Sequence, residues 1–148
     1  MATSHYSFKP EDFMNLEAYK SFFGNTGASA EEMAAASRRH MEVMTAASRE
    51  AVESANALAQ INAEYAKQTM EDLAAYWRDL MSSGPDMNEK AEIQGNAARE
   101  TCAKALAHNK EVAELIQKSQ EKFMRKINDQ VAETVRTAAK SAAPKAKK

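Results

Sequence analysis

Between Gly27 and Gly84 the chain contains neither glycine nor proline, and between Gly95 and Pro144 it again contains neither. Reversing a chain takes residues that tolerate positive φ or preset a bend, so stretches this long without them leave few places to turn. The same stretches are rich in Ala, Glu, Lys, Gln and Met, the strongest helix formers. Hydrophobic residues make up 44% and charged residues 28% of the chain, but aromatics only 7%. Large side chains for a thick core are therefore scarce. The composition excludes a compact multilayer enzyme and points to long helices with thin apolar seams.

The punctuation that does exist divides the 148 residues into segments. Residues 1–28 form an aromatic N-terminal segment with Phe8, Phe13, Phe22 and Phe23, and Pro10 suits the first turn of a short amphipathic helix over about 10–23. Ser29 and Glu32 have the spacing of a capping box, in which hydroxyl and carboxylate each satisfy an orphan amide. One long helix is expected from there to Ser82, about 80 Å if unbroken. Ser82-Ser83-Gly84-Pro85 supplies a turn near 83–86, Asp86 with Glu89 is a second capping pair, and a second helix follows to about residue 139. Residues 140–148 are a Lys/Ala/Pro tail expected to be disordered. The fold class is all-α: a long antiparallel hairpin over 29–139 with a short N-terminal helix, oligomerising as a coiled-coil-like bundle. The alternative is a three-helix bundle in which residues 10–23 pack back onto the hairpin.

Both long helices carry a readable stripe. In the first, Met44, Ala47, Ala51, Ala55, Leu58, Asn62, Tyr65, Thr69, Leu73, Tyr76 and Leu80 advance at a period of about 3.6, that of a nearly straight helix. Met41, Val52, Met70, Trp77 and Met81 widen it. In the second, Ala98, Cys102, Ala105, Asn109, Val112, Ile116, Ser119, Phe123, Ile127, Val131 and Thr134 follow a similar course. Pairing residues equidistant from the turn sets Asn62 opposite Asn109 as a register-fixing amide contact, and lays Trp77 over Gln94 and Gly95. One stripe per helix leaves many apolar atoms wet, so the seam implies a partner: a second copy of the chain, an apolar surface, or both. Met41, Met44, Leu58, Tyr65, Leu73, Trp77, Ile116 and Phe123 are the candidate contacts for either.

Enzyme chemistry finds no footing. His5, His40 and His108 have no paired ligand spacing, and a single cysteine cannot found a zinc site, so no metal site is expected. The four glycines make no phosphate-cradling loop, which removes the nucleotide fingerprints and any expected cofactor. Carboxylate pairs such as Glu31-Glu32 and Glu71-Asp72 read as solvated helix surface, since a hairpin offers no pocket to bury them, and no catalytic residue is assigned. Cys102 reads as a small seam residue. The net charge of −1 excludes a generally basic nucleic-acid binder. Only the tail is one-signed, and Arg136, Lys140, Lys145, Lys147 and Lys148 would give weak, salt-sensitive phosphate contact with no specificity. The first residues lack the apolar run of a signal peptide and the lone cysteine suits a reducing cytoplasm. No stretch approaches the roughly 18 apolar residues of a membrane span, so contact with an apolar phase would be peripheral.

The run SRRHMEVMTAASREAVESANALAQINAEYAKQTMED, residues 37–72, resembles the central stretch of the phasins, proteins that coat bacterial polyhydroxyalkanoate storage granules. Arg38, Arg39, His40, Met41 and Glu42 stand for the family's basic pair, polar residue, apolar residue and Glu, and Thr45-Ala46-Ala47 opens its Ala-rich helix. The preceding NLEAYKSFF resembles the family's aromatic N-terminal segment, and the likeness extends over roughly residues 13–135. It implies a non-catalytic amphiphile on the granule surface in the cytoplasm, limiting coalescence and setting granule size. It also implies the granule synthase or depolymerase as further partners, without residues to assign them. In that setting Phe8, Phe13, Leu16, Tyr19, Phe22 and Phe23 are the expected first contacts with polymer, because their segment can leave the bundle without unpacking the long helices. The other readings are a soluble coiled-coil adaptor, and a weak nucleoid association through the basic tail.

Overall fold

The computed structural model describes residues 10–25 and 27–142. They form four helices and no strand: α1 (Pro10–Met14), α2 (Leu16–Asn25), α3 (Ala30–Ser82) and α4 (Met87–Ala142). The single helix expected over 10–23 is broken at Asn15, whose side-chain Oδ1 accepts the amides of Glu17 at 3.0 Å and Ala18 at 3.4 Å. An Asn carbonyl competes with the helical ladder in this way, ending one helix and capping the next. Gly27, at φ 71°, supplies the left-handed backbone ahead of α3.

The Ser29/Glu32 box forms where the spacing placed it, and of the Asp86/Glu89 pair Asp86 supplies the cap. Ser29 Oγ accepts the Glu32 amide at 3.2 Å, and a Glu32 carboxylate oxygen accepts the Ser29 amide at 2.8 Å. At α4 the Asp86 carboxylate accepts the Asn88 amide at 2.9 Å. The end of α3 is closed by hydroxyls, with Ser82 and Ser83 donating to the Asp79 and Leu80 carbonyls. Replacing Ser29 by Ala should cost about 1 kcal/mol in the first turn of α3. Amide exchange should quicken over residues 30–34 only, and Ser29→Asp should restore it.

The chain divides into two compact units. The end unit comprises residues 1–51 and 120–148, and the hairpin unit residues 52–119. In the end unit, α1 and α2 pack onto the long helices, as in the three-helix alternative. Its core is Phe13, Tyr19, Ala36 and Ile127, with Phe22, Met33, Val43, Met44, Phe123 and Val131 against it. Phe13 meets Tyr19 edge-on at 5.8 Å. Burial raises the Tyr19 phenol's pKa, and its hydroxyl donates to the Ala36 carbonyl at 2.9 Å. Outside this core Glu50 takes both Lys122 at 3.1 Å and Lys126 at 3.3 Å, and the two ammonium groups hold its carboxyl below the ordinary range.

Two expectations about the seam are corrected. On α3 the inward positions Ala36, His40, Val43, Ala47, Glu50, Ser54, Ala57 and Ile61 are all buried or half-buried. They return every seven residues, the coiled-coil repeat rather than the 3.6 of the hydropathy stripe. Ala51, Ala55, Asn62 and Thr69 are exposed instead, as are Ala98, Cys102 and Asn109 on α4. Helix α4 also runs to Ala142, beyond the expected end near 139. The tail from residue 143 onward lies outside the described residues.

Candidate interaction surface

In the hairpin unit Val52–Ser82 and Met87–Ser119 run antiparallel, as their cross-helix partners show. Ser54 and Ser119 share a hydroxyl hydrogen bond at 2.7 Å, and Tyr65 stacks on His108 with centroids 4.0 Å apart and planes 12° off parallel. Lys104 donates to Asp72 at 2.6 Å and pairs with Glu100 at 3.2 Å, with Asp72 the main cause of its raised pKa. Asn62 and Asn109 are both exposed, and contact at their level runs through Tyr65 and His108. The register amide pair is thus corrected, since one residue along a helix turns a side chain about 100° away. Trp77 is exposed and meets Tyr76 edge-on at 5.6 Å. A Cβ at Gly95 would meet nothing within 4 Å, so no indole fills that space.

The hairpin also holds a cleft where none was expected. Residues 66–71 and 98–103 are exposed throughout. The opening, about 570 Å³, is lined by Tyr65, Thr69, Tyr76, Ile93, Ala97 and Lys104 among others. Among the described residues, no group of three or more His, Cys, Asp or Glu is placed to hold a metal ion.

The exposed residues of this unit are sorted by character. On α3, Val52, Ala55, Ala59, Ala63, Ala66, Met70, Leu73, Trp77 and Met81 are all exposed. At about 100° per residue they share an arc of about 80°. Met81 is 83% and Met70 68% exposed, values far from core packing. On α4, Met87, Ala91, Ala98, Cys102, Leu106, Ala113 and Ile116 are likewise exposed and share an arc of about 100°, with Asn109 in their midst. In the direction of its own chain, each stripe lies roughly a third of a turn past the inward face of its helix. Equal offsets on antiparallel helices are mirror senses in space, so the two stripes share one broad side. Glu53, Glu64, Glu71, Arg78, Glu92 and Lys110 fall on the opposite side by the same geometry. The hairpin unit is a two-sided plate, apolar below and charged above.

The candidate contacts divide accordingly. Met44, Leu58, Tyr65 and Phe123 are half-buried inside their units, whereas Met41, Leu73, Trp77 and Ile116 are exposed. Phe13 and Tyr19 are core residues at 0% and 3% exposure, Phe22 is half-buried and Leu16 is 40% exposed. Phe8 and the side chain of Phe23 lie outside the described residues. Detaching the segment therefore empties the end core. Hydropathy merged Val52, Met70 and Met81 into the inner stripe. Their separate outer face could have been found by plotting both arcs of α3.

A family model described as phasin protein matches residues 31–131, taking in both sides of the hairpin plate and much of the end core. The chain belongs to the phasin family. No curated protein and no solved structure matches it significantly. Phasins are structural proteins associated with polyhydroxyalkanoate granules. None of the described helices of this phasin is long and apolar enough to cross a membrane. An exposed apolar face on such helices calls for an interfacial partner.

Proposed function

We propose that this phasin coats the polyhydroxyalkanoate granule by laying the apolar side of its hairpin unit on the polyester. The carrying observation is the contiguous exposed face around Met70, Leu73, Trp77, Met81, Leu106 and Ile116. Burying such a face stabilises the bound state by about 25 cal/mol per Å² removed from water. Flexible methionines suit an irregular polymer surface, because an unbranched thioether adapts to gaps that a fixed rotamer cannot fill. The charged side then faces water, keeping granules apart and limiting their coalescence. Off the granule, a second copy of the chain covers the same face, which makes the unbound form an oligomer.

Adsorption to polyhydroxybutyrate particles tests the reading. Leu73→Lys combined with Trp77→Lys should weaken adsorption at least about 100-fold while leaving helicity unchanged, since two side chains worth about 1.5–3 kcal/mol each are replaced by ones that resist burial. Glu64→Lys with Glu71→Lys, on the charged side, should bind particles like the parent chain. Equal adsorption by the Leu73/Trp77 variant would overturn the assignment of the face. A parent chain that stays in the supernatant would overturn the coat itself, in favour of a soluble adaptor.

A further inference from the structure

His40 is 4% exposed and sits between the two side chains that hold the N-terminal segment down. Its ring centroid lies 4.7 Å from that of Phe13 and 4.9 Å from that of Tyr19. Among the described residues its Nδ1 has no hydrogen-bond partner. Thr134, buried on α4, has its hydroxyl engaged with Tyr19. A neutral imidazole can occupy such a place as a flat, largely apolar ring. An imidazolium there would be a buried charge with a donor and nothing to receive it.

We infer that His40 is the latch of a cover: α1 and α2 stay closed over the end core while its imidazole is neutral, and its protonation releases them. Among the described residues no carboxylate acts on it as a counter-charge. The elements around it carry Asp12 on α1, Glu17 and Lys20 on α2, Arg39 on α3, and Glu133 with Arg136, ion-paired at 3.1 Å, on α4. None of these perturbs His40, whose proton affinity is lowered by burial alone, whereas Arg39 acts on Tyr19. Attraction of a cation to the Phe13 and Tyr19 rings is weaker than the hydration that burial strips away.

The sign follows from proton counting. Below the ordinary His value of 6.5 the open form binds a proton that the closed form resists, so closure is complete above that pH and lost as pH falls. Opening bares Phe13, Tyr19, Phe123 and Ile127, which adds apolar area to that unit. That this area would meet polymer rests on the proposed function. The latch does not.

Amide hydrogen exchange on the full chain without polymer, corrected for the intrinsic pH dependence of exchange, reads the latch directly. Between about pH 7.5 and about pH 5, protection over residues 10–25 should fall about tenfold, with a ceiling near 30-fold for one proton, while residues 55–80 keep theirs. His40→Phe keeps a flat ring and removes the titration, so its protection should not change with pH. The imidazole resonances of His40 in the parent chain should titrate below 6.5, which tests the idea even if the variant packs poorly. Unchanged protection in the parent chain, a pH response that survives in His40→Phe, or titration at 6.5 or above would each overturn it. Because no arm contains polymer, failure to coat particles bears on the proposed function alone.

Discussion

Phe13→Ala should release α1 and α2 from the end unit. The ring is fully buried and touches both Tyr19 and His40, and truncating a core Phe generally costs about 3–5 kcal/mol. The loss has a natural limit here. Five residues of α1 and ten of α2 cannot sustain helices alone, so once their docking energy is gone the segment detaches and further loss has no target. Exchange over residues 10–25 should then approach that of an unfolded peptide, with residues 55–115 unaffected. Retained protection in this variant would show that the segment is held elsewhere.

Ile127→Ala should be the other severe change, and should reach further. Ile127 is 2% exposed and is the α4 member of the core cluster that also joins α1, α2 and α3. Its loss should cost about 2–5 kcal/mol, against about 0.5–1.5 kcal/mol for Ile127→Val. Because Ile127 lies on a long helix, the damage should appear as early melting of α3 before Ala51 and α4 after Gln120, as well as loss of the N-terminal segment. Two compact units need not melt together, so local exchange decides the matter better than one global midpoint. Equal effects of the Val and Ala variants would mean the site collapses without leaving a cavity.

Taken together the two substitutions separate cover from frame. Phe13 belongs only to the part that closes, whereas Ile127 belongs to the surface it closes on. A variant that loses the cover but keeps the frame should still adsorb through the hairpin unit. One that loses the frame tests how far the hairpin unit stands on its own.

The helices were legible from local chemistry. Absence of Gly and Pro, the Ser29/Glu32 and Asp86 caps and the Ser-Ser-Gly-Pro turn act within a few residues, and a sequence displays interactions of that range directly. Asn15 was the exception, a short polar side chain that ended a helix by taking amides meant for its ladder. The first helix had to be split by geometry that composition does not reveal.

The faces were not legible in the same way, and the reason is physical. Hydropathy measures how apolar a side chain is, and α3 is apolar on two sides, so a single stripe averaged its inner and outer arcs. The true inner face carries Ser54, Asp72, Lys104, His108 and Ser119, each partnered from the opposite helix. A polar residue reads as outward until the atom that satisfies it is in place, and that atom lies 32 to 65 residues away in the Lys104–Asp72 and Ser54–Ser119 pairs. By itself the sequence determined the two long helices, their starts and their turn, because propensity and capping are local. Only the tertiary structure decided which arc is buried, which is left exposed and what His40 touches, because those depend on where a second helix comes to rest.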